Sequence, residues 1–485
     1  MSEDALIAFA YESHVQGDLQ SAKKYYEEFL KLSPYNPQAY NNLAVIYFSQ
    51  KEYVKAKILY EKALTCKPDY LDALKNIASL CKLQNDLTNA KRYYEQVLSL
   101  EPNNINALNT LTVLSKKENN LIKAKEYALI VLRLDPNNVD ALNNMGVIAK
   151  EQRDLITAKN YYDRVIELDP NSLETLLNLS LLYLLQKDYI KGFDLYRNRY
   201  RKYDLYTNEN LVKHKKLINS FDELMGKKVL VCFEQGFGDA VQFIRLALVL
   251  KNLNAEFSYL VPHELLKLFR QSFPEVSFVM EDEIESFEYY FPILDACYLT
   301  GLEYETIPFR EKYLHVNVND VESFKKTELA KTSKKRIGFA YQGSVLHHND
   351  TNRSITLEMF LQGISSLHQD YEFYALQYGI SVQEQQLLKK YGVADLGSKI
   401  ENFYDSAIMV ESMDAIISID SSLLHVSGAL GKKAYLLLPF APDWRWGIED
   451  KETNWYDCVK IYRQDAPGDW SKPFLDLARD VINEL

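Results

Sequence analysis

Bulky apolar residues and small residues alternate with polar ones in a pattern that returns at a fixed interval through the first part of the chain. In the block that ends at Pro68, Tyr40, Leu43, Ala44, Tyr47, Ala56, Tyr60 and Ala63 fall at helical spacing and predict two short amphipathic helices. The block that ends at Pro170 keeps the arrangement with Leu142, Met145, Gly146, Ala149, Ala158, Tyr162 and Val165. An alanine holds the beat at Ala22, Ala56, Ala90, Ala124 and Ala158, and a proline at Pro34, Pro68, Pro102, Pro136 and Pro170, each 34 residues after the last. The proline closes each second helix, since its ring clashes with the preceding turn and it has no N–H to extend the ladder. A two-helix unit of this size cannot bury its own apolar face, so the pattern predicts a stacked α-solenoid, whose concave surface generally takes a protein or peptide partner. The sixth copy fades after Leu176, Leu179 and Tyr183, with Gly192 in place of the alanine and Asp204 in place of the proline.

From Lys227 the texture changes to short apolar runs separated by helical segments. Strands are expected at Lys228–Glu234, Phe257–Val261, Val276–Met280 and Tyr289–Ile293, and again at Arg336–Tyr341, Glu372–Leu376, Ala415–Ile419, Ala434–Leu438 and Val459–Tyr462. Strands alternating with helices predict parallel sheets in two α/β units with a cleft between them. The expected organisation is a repeat solenoid over 1–200, a linker over 201–226, a first Rossmann-like domain over 227–330 and a second, ligand-binding one over 331–485. A length of 485 residues suits about three domains.

Charge narrows the partners. With 56 Lys and Arg against 67 Asp and Glu the formal net charge is −11, which leaves no basic excess for the phosphates of a nucleic acid. The small basic clusters at Lys213, Lys215 and Lys216, and at Lys331, Lys334 and Lys335, read as solvated linker. Five scattered cysteines, Cys66, Cys81, Cys232, Cys297 and Cys458, have no paired metal-ligand spacing and fit a reducing, cytoplasmic setting. The first residues carry no basic region before an apolar run, and the most apolar stretch, Leu173 to Leu185, belongs to the sixth repeat, so neither export nor a membrane span is expected.

Three stretches of the second region carry candidate chemistry, each where a strand gives way to a helix. After the run Val229–Phe233 come Glu234, Gln235, Gly236, Phe237, Gly238 and Asp239. Glycine lets the backbone approach a ligand, and a helix start favours an anion. Asp239 fits equally well as a cap for that helix. Val241 in the third glycine place argues against a nicotinamide fingerprint. A second turn, Tyr341, Gln342, Gly343 and Ser344, precedes His347, His348 and Arg353, whose planar fork suits a phosphate. No third ligand is spaced to join the two histidines in a metal site. The third stretch runs from Ile416–Ile419 into Asp420, Ser421, Ser422 and His425. Asp420 and the hydroxyls either cap the next helix or, with its free N–H groups, hold the phosphates of a nucleotide sugar. The Pro439–Trp446 segment either walls a base or sugar pocket or anchors a buried loop.

In the repeats, Asn42, Asn76, Thr110, Asn144 and Asn178 stand eight residues after each proline and line up along the first helices. Such a ladder can pair with an extended peptide, and asparagine also simply recurs near the start of these helices.

The repeat pattern resembles tetratricopeptide repeats, and the asparagine line resembles the ladder in the repeat domain of the O-linked N-acetylglucosamine transferases. The segments EQGFGDAVQFIR, AYQGSVLHHNDTNRSI, SIDSSLLHVSGALGKKAYLLLPFAPDWRW and RQDAPGDW resemble bacterial tetratricopeptide-linked glycosyltransferases of the GT-B fold, family 9-like relatives of the lipopolysaccharide heptosyltransferases. That resemblance implies Asp239 as catalytic base. It implies Gly236, Gly238, Gln342, Gly343, Arg353, Asp420, Ser421, Ser422 and His425 as donor site, with no metal and no cofactor beyond the nucleotide-sugar substrate. It further implies a protein acceptor, flagellin among the candidates, recruited on the concave face of the repeats through Asn42, Asn76, Thr110, Asn144 and Asn178. The alternatives it leaves are a surface-polysaccharide transferase and a non-catalytic repeat scaffold. The first α/β unit is short for a GT-B enzyme.

Overall fold

The computed structural model describes residues 1–199, 216–218, 220–284, 286–329, 332–344 and 349–485. Asp204, Lys213, Lys215, Lys331, His347, His348 and most of the 201–226 linker therefore lie outside the described residues. The chain divides into two compact units, Met1–Ser172 and Leu173–Leu485.

The first unit holds five helix pairs: α1 (Glu3–Val15) with α2 (Leu19–Leu32), α3 (Pro37–Ser49) with α4 (Tyr53–Cys66), α5 (Leu71–Leu83) with α6 (Leu87–Leu100), α7 (Ile105–Lys117) with α8 (Leu121–Leu134), and α9 (Val139–Glu151) with α10 (Leu155–Leu168). Each helix packs on the one before it, and the periodic residues form the core: Ala22, Tyr26, Ala44, Ala56, Tyr60, Ala90, Tyr94, Ala124, Ala158 and Tyr162 are buried. Short polar side chains start the helices. Asp18, Asn36, Asp86, Asn104, Asn120, Asn138 and Asp154 each accept a hydrogen bond from the backbone N–H three residues on. Each second helix stops two residues before its proline. Gly146 is required by its partner, since a Cβ there would lie 2.4 Å from the Tyr162 ring.

The turn within each pair contains one residue in the left-handed region: Gly17, Lys51, Asn85, Asn119 and Arg153, and Lys187 in the sixth pair. The geometry closes the first helix by paired bonds, as where Lys51 N–H donates to Phe48 O at 2.9 Å and Glu52 N–H to Tyr47 O at 2.9 Å.

The second unit opens with the sixth pair, α11 (Leu173–Leu185) and α12 (Tyr189–Tyr196). Tyr189 is buried among Phe193, Tyr304, Trp444 and Trp455, and its hydroxyl accepts from the Trp455 indole at 3.1 Å. Lys187 pairs with Asp450 at 2.7 Å. These contacts bind the sixth pair to the sheets that follow, which is why the division falls at 172/173 instead of at the end of the repeat pattern.

Two parallel sheets follow. The first has β1 (Lys216–Leu217), β2 (Lys228–Cys232), β3 (Glu256–Leu260), β4 (Ser277–Val279) and β5 (Tyr289–Pro292) in the order β1-β5-β2-β3-β4. The second has β6 (Lys335–Ala340), β7 (Tyr371–Ala375), β8 (Ala394–Asp395), β9 (Ala415–Ile419), β10 (Ala434–Leu438) and β11 (Val459–Arg463) in the order β11-β10-β9-β6-β7-β8. Numbered from its own first strand, the second sheet runs 3-2-1-4-5-6, the doubly wound order in which ligands bind beyond the carboxyl ends of the strands where the order reverses. Its central strands β9 and β10 are buried at every position, as strands covered on both faces must be.

Candidate functional site

The order of the second sheet reverses between β6 and β9, and two of the sequence-predicted stretches leave the sheet there. After β6, Gln342 N–H donates to Gln377 Oε1 at 3.1 Å and Gly343 N–H to Ser354 Oγ at 3.0 Å. After β9, Asp420 leads to the helix Ser422–Ala429. Arg353 joins the two: its Nη1 donates to Asp420 O at 3.0 Å while its Nε meets Asp350 Oδ1 at 3.3 Å. A Cβ on Gly343 would lie 2.4 Å from Arg353 Nη2, so the glycine makes room for the guanidinium.

Ser421 is the first cap of the Ser422–Ala429 helix, yet its hydroxyl does not cap it; it bonds to Ser418 Oγ at 2.9 Å. Among the described residues no acceptor is bonded to the N–H groups of Ser422 and Leu423, as at the start of any helix, and such groups are able to take an anion. His425 lies one turn on and is buried. Its Nδ1 is 2.9 Å from the Tyr456 hydroxyl, its Nε2 is 3.8 Å from Asp420 Oδ1, and its ring stacks on Trp446 at 5.6 Å. Burial, with Arg445 and Arg245 nearby, pushes its pKa well below the ordinary value, so the ring is neutral at pH 7.

The first predicted stretch meets the other two from the opposite sheet. The helix Phe237–Phe243 follows β2, and Asp239 sits in its first turn, where its Oδ2 accepts from Gly236 N–H at 3.1 Å. Gly238 is where the two helix starts touch: a Cβ there would lie 2.8 Å from His425 Cδ2. The glycine serves this helix-to-helix approach. Asp239 Oδ1 is bonded to Arg445 Nη2, from the turn Trp444–Trp446. The structure thus brings together Asp239, Gly238, Arg353, Asp420, Ser421, Ser422 and His425, with Gln342 and Gly343 beside Arg353.

Burial is incomplete here. The side chains of Asp239 and Asp420 are 18% and 13% exposed and that of Asp443 is 25% exposed, so solvent reaches the carboxylates. Burial and the neighbouring Asp443 push the Asp420 carboxyl up to about 6, against the pull of Arg353 and Arg445. Burial also raises Asp239 above the ordinary carboxylate value, with Arg445 opposing it.

Arg445 and Arg245 are the residues that sequence reasoning missed as individuals. Arg245, fully buried, donates to Gln242 O, Trp455 O and the Tyr313 hydroxyl, and lies over the rings of Tyr313 and Tyr456. Both tie the Phe237–Phe243 helix to residues more than two hundred positions later, and no local pattern announces such a pairing.

The ladder positions of the repeats differ among themselves. Asn42 donates to the Tyr26 hydroxyl at 3.2 Å and Asn76 to Asn41 Oδ1 at 2.9 Å, both half-buried. Thr110 and Asn144 are buried, and Asn144 accepts from Lys116 at 2.8 Å. Asn178 is half-buried in α11 of the second unit. Among the described residues no cluster of three His, Cys, Asp or Glu side chains is arranged to hold a metal ion, and no helix is long and apolar enough to cross a membrane.

The first unit is built of helical hairpin repeats. They are tetratricopeptide repeats: family models of that description match residues 4–36, 37–70, 71–104 and 139–172. The pair α7–α8 lies between matched stretches and keeps the same caps and left-handed turn. Similar solved structures include YrrB, described as a TPR protein with an unusual peptide-binding site, at 23% identity over 35% of this chain and 88% of that one, TM-score 0.34. Others are PilF of Pseudomonas aeruginosa, at 22% over 42% and 92%, TM-score 0.35, and a tetratricopeptide repeat protein of Parabacteroides merdae, at 20% over 41% and 88%, TM-score 0.35. No curated protein matches this chain. Tetratricopeptide repeats typically bind peptides or proteins, which makes the first unit a protein-interaction array.

Proposed function

We propose that the second unit is a metal-independent, inverting glycosyltransferase that moves a sugar from a nucleotide-sugar donor to a protein recruited by the repeats, flagellin being one candidate. The observation that carries this reading is the convergence at the reversal point of the second sheet. Gln342, Gly343 and Arg353 from the loop after β6 and Asp420, Ser421 and Ser422 from the end of β9 meet at one helix start with unbonded N–H groups. Asp239 faces that start from the other sheet, as Gly238 and His425 are in contact.

In the reaction the acceptor oxygen attacks the anomeric carbon, the bond from that carbon to the phosphate oxygen breaks, and its electron pair leaves on the diphosphate. Asp239 takes the acceptor proton. Arg353, Ser421, Ser422 and the helix N–H groups stabilise the negative charge on the leaving group. GT-B architecture and a cytoplasmic site of action belong to the same proposal.

A panel of nucleotide sugars tested by thermal shift on the full-length chain checks it: one of them raises the melting temperature. With that donor, Asp239→Asn lowers transfer by about 10² to 10⁴ without weakening donor binding. A second reading, a repeat scaffold with a non-catalytic transferase-like unit, draws on the fact that both oxygens of Asp239 already have partners. No stabilisation by any donor would favour the scaffold.

A further inference from the structure

Arg445 occupies an unusual position for a buried cation. Its guanidinium lies over the Trp444 ring at 4.5 Å, with the Phe243 ring 5.7 Å away, and every nitrogen is engaged. Nε donates to Gln242 Oε1 at 2.7 Å, Nη1 to Asp443 Oδ1 at 2.7 Å, and Nη2 to Asp239 Oδ1. Because Gly236 N–H holds Oδ2, the Asp239 carboxylate has both oxygens committed. Burial makes this carboxylate more basic than an ordinary one and Arg445 opposes that, so Oδ1 must leave the guanidinium before it can meet an acceptor hydroxyl. A buried donor without an acceptor stands beside the pair, Gln242 Nε2, on the amide whose oxygen Arg445 holds. Three carboxylates, Asp239, Asp420 and Asp443, surround this one guanidinium, and the second cation, Arg353, is shared with Asp350.

We propose that Arg445 is a positioning residue that keeps Asp239 out of action until the diphosphate of a donor binds, and that the diphosphate then competes for the guanidinium and frees Asp239 Oδ1. This rests on the glycosyltransferase reading and deepens it by assigning an order: donor first, then a competent base, then acceptor. The planar fork of arginine suits the exchange, because the nitrogens that hold carboxylate oxygens hold phosphate oxygens with the same geometry. The exchange itself moves no proton; Asp239 gains one only from the acceptor hydroxyl as the carbon–oxygen bond forms.

The consequence is opposite in sign to that of an ordinary binding residue. Asp239 and Asp443 are competitors of the donor, so removing their charge tightens donor binding, whereas removing Arg445 weakens it. Titration calorimetry on the full-length protein with UDP, GDP, CDP and ADP, and inorganic pyrophosphate as a base-free control, gives the reference affinity. Asp239→Asn is expected to bind the preferred diphosphate about tenfold more tightly. Arg445→Gln is expected to bind it at least about tenfold more weakly, with Arg445→Lys in between. Asp443→Asn, at a more exposed carboxylate, serves where the buried variants fail to fold, and a smaller tightening is expected. If the unaltered protein binds a diphosphate but Asp239→Asn and Asp443→Asn bind it no more tightly, the switch is overturned and the donor site stands. An affinity unchanged in Arg445→Gln overturns it in the same way. If none of the diphosphates binds the unaltered protein, the glycosyltransferase reading itself falls and takes the switch with it.

Discussion

The two parallel sheets of the second unit reverse their strand order at corresponding places, between β2 and β5 in the first and between β6 and β9 in the second, and the two crevices hold different things. At the first, Glu234 and Asp295 are closed over by Arg199 from the segment after α12. Its Nε and Nη2 meet the two Glu234 oxygens at 2.9 and 2.8 Å, its Nη2 lies 2.9 Å from Asp295, and all three are almost fully buried. Arg197 adds a second bond to Asp295 at 3.3 Å, and Glu234 accepts from Leu294 N–H. At the second, Arg353 leans on a carbonyl and one carboxylate, and the neighbouring helix start keeps its first N–H groups unbonded. The same topology therefore yields a plug in one sheet and a candidate site in the other. What separates them is whether the opposing charges are already matched inside the protein.

That contrast is tested most severely at the plug. Arg199→Ala leaves Glu234 without a cation and Asp295 with Arg197 alone, and should cost about 3 to 5 kcal/mol, whereas Arg353→Ala, which removes one largely buried ion pair and a bond to a carbonyl, should cost less, about 1 to 3 kcal/mol. Thermal melts of the two variants measure the difference, and equal losses would remove the distinction between plug and site.

A smaller effect sharpens the open crevice through pH. Asp420 titrates near 6 in the fold, above its ordinary 3.8, so between these values the folded state keeps a proton that the unfolded chain has lost. Stability from this group is greatest below about pH 4 and falls as pH rises towards 6, by up to about 3 kcal/mol. Asp420→Asn should lack this slope, and its melting temperature should gain on that of the unaltered protein as the pH is raised from 4 to 7. A constant gap between the two proteins would show that folding does not raise the Asp420 carboxyl above its ordinary value.

The smallest expected effect lies in the repeats. Lys51 and Arg153 pay for left-handed backbone that Gly17 adopts freely, so Lys51→Gly and Arg153→Gly should be neutral or stabilise the array by up to about 1 kcal/mol, measured by thermal melts. A clear loss at either position would mean that its side chain holds something more than a turn.

The strands were legible where apolar runs are continuous, as at Val229–Cys232, Ile416–Ile419 and Tyr435–Leu438, because a strand covered on both faces has no polar positions to confuse its reading. Strands β1 and β8 were not, as two residues each leave no pattern. The helix pairs were legible from their alanines, tyrosines and prolines, but the left-handed turns were signalled only at Gly17, Asn85 and Asn119; a lysine or arginine in that conformation looks like any surface residue. In the candidate site, Asp239 and Asp420 were legible from the strand, turn and helix around them. Gly238 was read as room for a ligand, and its nearest neighbour is His425. The pairing of Asp239 with Arg445, like that of Glu234 with Arg199, is a product of tertiary folding that no spacing in the sequence encodes.

The anchoring of Tyr189 and Phe193 among tryptophans decides which exchanges of modules this architecture tolerates. A recombination that replaced the whole repeat pattern, last helices included, would strip an aromatic floor from the unit that holds the two sheets. A crossover at the joint after Ser172 leaves that floor behind, so new interaction arrays can be spliced on without rebuilding what they serve.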